Sequence, residues 1–536
     1  MKKIIGLLFS VVFILSLNMA WADEIRTSGL YTYKIKGNGT VTITKFDWDN
    51  NKENIYIPNL IDGYNVTGIE AEAFSKESRE KGGSIYSVTT YSVTIPNGIV
   101  SIGEKAFMNA PISSVNIPKN VQQIGVGAFA NSFLSQFSVE PGNEIYTTID
   151  GALYNKKEKM LVAWPTCGKL KEIPNGIIKI GDYAFYGCEN MSEIYLDSLI
   201  PESVEEIGDY AFANAGKMTM KKQFLSGNLK SVGKYAFSNC TFEFHDYFTI
   251  GNKNLVIDEG AFENVLLRDG SEHKGDIRLH GVNDGEVNVI IAKEIGKSAF
   301  ENLKVYVFRY SFTEIVIDGN VKKIGESAFY NAGKRGGGFG EIGKIYLYMP
   351  KISEVTNMER AAFQESNFAQ YEIRSKYGKN VTSNTFATPN KLEKIEDFAF
   401  SEGLDYKVQK VEISEGVKSI GEKAFEANKD VENVIIPKTL EKIGKGAFEG
   451  CSKLEQVVIA DDGNLSEIEE EAFKNCPNLA SLSIPSSVTE IGDNAFDKET
   501  ITLQVEQGSY AALWASENGY SYQYSDAAED TSWLNN

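Results

Sequence analysis

Leu479-Ala-Ser-Leu-Ser-Ile-Pro-Ser-Ser-Val-Thr-Glu-Ile-Gly-Asp-Asn-Ala-Phe496 is one copy of a unit that recurs along the whole chain. Its last six residues, Ile-Gly-x-x-Ala-Phe, come back fifteen times. They end at Phe74, Phe107, Phe129, Phe185, Phe212, Phe237, Phe262, Phe300, Phe329, Phe363, Phe400, Phe425, Phe448, Phe473 and Phe496. The last four intervals are 25, 23, 25 and 23 residues. A period in this range implies stacked units, each touching only its neighbours. Such a stack escapes the size limit of a single core, which matters for 536 residues.

The unit Val431 to Phe448 shows how one copy works. Val434 and Ile436 alternate with Ile435, the period of a strand. Pro437 ends the strand by withholding a backbone donor. Leu440 and Ile443 point back inward and suit a tight turn or a short second strand. Gly444 reads as a residue that eases a backbone turn. Ala447 allows close packing and Phe448 fills the core. Asn or Gly often follows two residues later, as at Asn109, Asn131, Asn239 and Gly450, and suits the turn into the next coil. Five copies replace the Gly: Glu70, Asp258, Glu359, Glu396 and Glu469; Met358 also replaces the Ile. Parallel strands about 4.8 Å apart would stack fifteen coils into an arc on the order of 70 Å.

Residues 1–22 read as a secretory signal. Lys2 and Lys3 precede the apolar Ile4 to Leu17, and Ala20-Trp21-Ala22 is a small-x-small cleavage site. The apolar stretch is short for a membrane-spanning helix, and none longer follows. The formal charge is −19, and loss of Lys2 and Lys3 takes it to −21. An acidic surface without basic runs argues against nucleic acid and anionic membranes as partners. Of five Cys, an odd number, Cys188, Cys240, Cys451 and Cys476 each lie three residues after a repeat Phe. Ala110, Ser132, Ala215 and Ala332 hold the same place, so it takes a small buried side chain. A Cys451–Cys476 disulfide is the sharper alternative, but side chains stacked in register make poor bridge geometry.

The Ile-x-Ile-Pro strand, the Ile-Gly-x-x-Ala-Phe segment and the Cys or small residue after it resemble the BspA-like family of bacterial leucine-rich repeats. The resemblance covers roughly residues 55 to 500. It implies a β-rich α/β repeat solenoid, a right-handed leucine-rich-repeat superhelix with a parallel strand ladder. It also implies a role in adhesion or host-protein binding and no catalytic site.

The expected organisation is a signal peptide over 1–22, an N-terminal hairpin cap over 23–68, a solenoid over 69–496 and a C-terminal cap and tail over 497–536. The front hairpin turns at Lys36-Gly37-Asn38-Gly39. At the back, Ser509 caps a short helix carrying Tyr510, Leu513 and Trp514, and Gly519 stops it. An acidic tail with Trp533 and Leu534 starts near Ser525. The 56 residues between Phe129 and Phe185 admit a hairpin insertion over about 140–165, turning at Asn155 to Lys159. Further insertions fall at Lys76 to Tyr91, Arg268 to Asp276, Gly333 to Gly340 and Tyr377 to Pro389. They emerge along one edge, where repeat proteins carry binding loops.

Chemistry-bearing motifs are missing. His245, His273 and His280 are not in metal-ligand spacing. Lys334 to Gly340 is Gly-rich but lacks the phosphate-loop ending. Asp461-Asp-Gly-Asn464 and Asp47 to Asn51 lack the full calcium ligand series. No cofactor and no metal are expected. The strand ladder is the informative surface. Its middle residues run Thr94, Asn116, Ser138, Tyr195, Thr219, Glu243, Arg278, Val316, Tyr346, Glu372, Glu412, Ile435, Val458 and Ser483. Most are polar. Tyr195, Val316, Tyr346, Ile435 and Val458 form the candidate binding surface, because aromatic and aliphatic groups on a solvated face suit an interface; strand propensity is the competing reason for the branched ones.

These observations give an exported, non-catalytic, monomeric solenoid at the cell surface or secreted. The resemblance makes adhesion to a host extracellular protein or matrix the expected function; the alternatives are a glycan or cell-envelope ligand and a scaffold in the periplasm.

Overall fold

A computed structural model describes residues 24–49, 51, 54–76, 89–169, 171–189, 191, 194–220, 223–224, 227–244, 249–269, 288–306, 312–317, 321–332, 344–348, 355–366, 368–369, 384–404 and 408–525. The signal segment, the three histidines, Arg278, Glu372, Trp533, Leu534 and most of the Lys76, Arg268, Gly333 and Tyr377 insertions lie outside them. The chain is a β-solenoid of parallel ladders with, among the described residues, two short helices, Leu196–Leu199 and Tyr510–Asn518. It divides into two compact units, Met1–Lys169 with Lys179–Cys188, and Leu170–Ile178 with Glu189–Asn536.

In the first unit, β1 (Glu24–Ser28), β2 (Tyr31–Ile35) and β3 (Thr40–Phe46) pair antiparallel. Next come β4 (Ile55–Tyr56) and β5 (Leu60–Ile61). β3 then hands over to parallel pairing with β6 (Tyr64–Ile69). From there each coil adds a longer and a two-residue strand: β7 (Tyr91–Thr94), β8 (Ser101–Ile102), β9 (Ile112–Ile117), β10 (Gln123–Ile124) and β11 (Gln136–Val139). Two ladders result, β1-β2-β3-β6-β8-β10 and β11-β9-β7-β4. β12 (Tyr146–Ile149), β13 (Ala152–Asn155) and β14 (Met160–Ala163) form antiparallel hairpins, and β14 pairs parallel with β15 (Lys179–Ile180). Trp164 then stands where a repeat would have its Phe. Its ring stacks on Phe185 at 5.3 Å, and its backbone N–H donates to Ala184 O at 2.8 Å, as the Phe107 and Phe212 amides do to Ala128 O and Ala236 O of the next coil.

In the second unit, eleven Phe rings from Phe212 to Phe496 stack face to face at 4.9–5.9 Å. All are buried. Trp514 and Tyr520 set their rings edge-on to Phe496, the last of the column. Two-residue strands such as Lys442–Ile443 and Glu467–Ile468 run parallel through the coils, so Ile443 belongs to a short second strand.

The backbone explains the repeat better than residue type does. The residue two before the Phe has positive φ in all fifteen copies, whether it is Glu72, Lys105, Tyr183, Phe398 or Gly446. Gly444 has no such conformation. A Cβ there would stand 2.6 Å from Ile420 O and 2.8 Å from Gly421 C of the preceding coil. The repeat Gly therefore serves close approach of coil on coil, and the reading of it as a turn residue is corrected. Where Glu469 replaces Gly, its carboxylate reaches back to accept the Lys445 N–H at 2.8 Å; Glu359 does the same with Glu326 N–H at 3.1 Å.

None of the five cysteines forms a disulfide. The buried thiols also bond. Cys240, Cys451 and Cys476 donate to the Phe212, Phe425 and Phe448 carbonyls at 3.0, 3.4 and 3.2 Å. Asn428, at the same place in its coil, donates to Phe400 O at 2.9 Å. Cys and Asn thus donate one coil back, Ser132 and Ser366 donate to the Phe carbonyl of their own coil at 2.7 Å, and Ala110, Ala215, Ala332, Val265 and Leu303 simply fill the buried site. Burial pushes the Cys240 and Cys476 thiols up to about 12.

Candidate binding surface

Outward strand residues do not form one ladder. Among the described residues five separate ladders carry them: β11-β9-β7-β4 in the first unit, and four in the second. Those four include Lys217–Met220, Phe312–Ile317, Thr385–Ala387 and Ser481–Ile484 in turn. Coils between Phe212 and Phe329 carry two strands between the Phe and the next short strand, as in Thr241–Phe244 and Thr249–Gly251. Coil length alone does not decide this, since Phe237 to Phe262 and Phe400 to Phe425 both span 25 residues and the latter carries one strand there, Lys410–Glu412.

Tyr195 is not a mid-strand residue. It makes a single parallel bridge to Thr219 and then becomes the N-cap of helix Leu196–Leu199, with 39% of its surface exposed. Val316 and Tyr346 lie on neighbouring strands but not side by side; register pairs Val316 with Tyr348 and Tyr346 with Glu314. Ile435 and Val458 are direct neighbours.

Ile435 and Val458 lie in a four-strand ladder of Thr385–Ala387, Lys410–Glu412, Asn433–Ile436 and Gln456–Ile459. Strand alternation puts Val411, Val434 and Val457 into the core and leaves Ala387, Glu412, Ile435 and Val458 in line on the other face. Val458 is 45% exposed, Ile435 half-buried. The polar members are tied among themselves: Lys410 pairs with Glu412 at 2.6 Å, and Gln409 donates to Glu432 at 2.9 Å. An aliphatic stripe thus runs beside a self-satisfied polar one, an arrangement that offers desolvation without unpaired charge.

Among the described residues no three His, Cys, Asp or Glu are grouped to hold a metal ion, and no helix is long and apolar enough to cross a membrane. Among the described carboxylates, Glu263 stands above its ordinary value. Burial is the main cause, and the charge of Glu301, one coil on, adds to it.

A family model of the BspA type leucine rich repeat region matches residues 83–161, 163–270, 293–335 and 371–502, in six copies. The chain belongs to this family. BspA-type proteins are repeat proteins and generally non-catalytic. No curated protein matches the sequence. Among solved structures the chain is similar to a leucine rich cell surface protein from Faecalibacterium prausnitzii, with 18% identity over 96% of this chain and 97% of that one and a TM-score of 0.30. It is similar to a leucine-rich repeat protein from Bacteroides ovatus, with 16% identity over 94% and 100% and a TM-score of 0.38. It is also similar to the pneumococcal vaccine antigen PcpA, with 14% identity over 94% and 99% and a TM-score of 0.32. The family assignment stands on the family model.

Proposed function

We propose that this BspA-type chain is an exported binding protein that recognises a protein of the host surface or extracellular matrix, without catalysis. The observation that carries this reading is the registered pair Ile435 and Val458 on an outward strand face, flanked by polar groups that satisfy one another. Parallel pairing on both sides makes the face rigid, so little ordering is needed on binding. Binding of purified extracellular-matrix and serum proteins to the full chain, by surface plasmon resonance, tests it. A partner should bind, and Ile435→Ser with Val458→Ser should weaken it about ten-fold or more with an unchanged circular dichroism spectrum. Undiminished binding by that variant refutes the assignment of the surface, and complete protection of the protein from protease on intact cells refutes its exposure.

A further inference from the structure

The outward face of β11-β9-β7-β4 differs in chemistry from the aliphatic stripe. Register sets Tyr56 beside Thr94, Thr94 beside Asn116 and Asn116 beside Ser138. A second column runs Ser92, Ser114, Gln136. These seven positions hold hydroxyls, amides and one phenol, and no charge, in a chain where 24% of residues are charged. Outward faces of the second unit do carry charge, as Lys410 with Glu412 and Lys217 with Glu243. The lack of charge is therefore a property of this face.

Tyr56 is 69% exposed, more than any other large hydrophobic side chain among the described residues. Behind it the polar groups hold one another in place. Ser138 Oγ donates to Asn116 Oδ1 at 2.9 Å, and Asn116 Nδ2 donates to Glu140 Oε1 at 3.4 Å. Glu140, at the end of β11, also accepts the Lys119 N–H at 3.2 Å and is the carboxylate at the border of the face.

We propose that this face binds a neutral, extended glycan chain, independently of the protein-binding stripe of the second unit. An anionic polysaccharide would meet Glu140 and no outward cation on these strands. A protein partner would find one apolar side chain in seven. A neutral sugar matches both features: its hydroxyls exchange hydrogen bonds with amides and hydroxyls, and its C–H face lies on an exposed ring. The rungs recur about every 4.8 Å, close to the length of one pyranose unit. Successive sugars of an extended chain can thus meet successive rungs, with Tyr56 taking the terminal one.

The test uses the full chain on an array of neutral, anionic and cationic polysaccharides, followed by calorimetry with a neutral oligosaccharide of the best-bound type. Binding should be confined to neutral chains. Tyr56→Ala should weaken it at least about ten-fold; the Tyr56 backbone carbonyl that accepts the Tyr31 hydroxyl at 3.1 Å remains in that variant. Ser114→Glu, at an exposed position, should weaken it as well while leaving the melting curve unchanged. Val458→Ser should have no effect, which separates this site from the protein-binding one. The proposal is overturned if no neutral glycan binds, if charged chains bind instead, or if binding survives both Tyr56→Ala and Ser114→Glu.

Discussion

Gly444 and Gly446 stand two residues apart in one coil, and replacing each by Ala separates two kinds of backbone constraint. Gly446 has φ near 58°, but Ala361 holds φ 55° at the same place in its own coil. The atoms nearest a Cβ at Gly446 belong to the flexible Glu449 and Lys423 side chains, at 3.2 Å. Gly446→Ala should cost about 1 kcal/mol, the left-handed penalty of a non-glycine residue. At Gly444 the obstacles are Ile420 O and Gly421 C, at 2.6 and 2.8 Å, and neither can rotate away. Gly444→Ala should cost about 2–3 kcal/mol or more, the range for overfilling a packed site. Because each coil contacts only its neighbours, the loss should be local. Native-state hydrogen exchange reads it at the Phe425 and Phe448 amides, which donate to Ala447 O and Ala472 O at 2.8 Å. Gly446→Ala should speed their exchange about five-fold and Gly444→Ala about thirty-fold or more. The Phe107 amide, in the other unit, should not change. If Gly446→Ala proves as costly as Gly444→Ala, the close-approach argument is wrong.

Phe448→Ala, which removes a ring stacked at 5.2 and 5.3 Å on its neighbours, should lower local stability by about 3–5 kcal/mol and open its own coil to protease before others. Cys451→Ser should turn its donor to Phe448 O, as Ser132 and Ser366 donate to Phe129 O and Phe363 O of their own coils, whereas Cys451→Ala should lose about 1 kcal/mol; a Cys451→Ala chain as stable as the native one by urea unfolding would dismiss the thiol as a donor. Since the Cys240 thiol is held at about 12 against 9.0 when unfolded, its contribution is intact below pH 9 and is lost as pH rises toward 12; iodoacetamide at pH 8 should label Cys167, the exposed cysteine, well before the other four. Glu263 has a raised pKa, so stability around it should fall as pH rises through its titration, and Glu263→Gln should protect the Val265 amide at pH 7 but make no difference at pH 3.

The Phe column, the strand motif and the fold class were legible because they are written in residue types. The left-handed residue before Ala-Phe was not, because Glu, Lys, Tyr, Ser and Asn all occupy it and no composition marks it. The repeat Gly was misread for a related reason: its role depends on the distance to the preceding coil, which no single copy contains. Tyr56 was overlooked although Ile55-Tyr-Ile57-Pro58 carries the full strand motif ahead of the first Ala-Phe. Trp164 hid because the hairpin breaks the spacing that would have aligned it with the Phe column. The pairing of Val316 with Tyr348 could not be foreseen, since coil lengths do not fix register across an insertion.

The left-handed position carries one more consequence. Its fifteen occupants include charged, aromatic, small and amide side chains, but no Val, Ile, Thr or Pro. Branching at Cβ is what this conformation rejects. Coil geometry thus vetoes a few residue types there and is indifferent to the others. A lineage can therefore rewrite this mostly half-buried column, coil after coil, in charge or aromaticity, while the hydrogen bonds that join each coil to the next stay where they are.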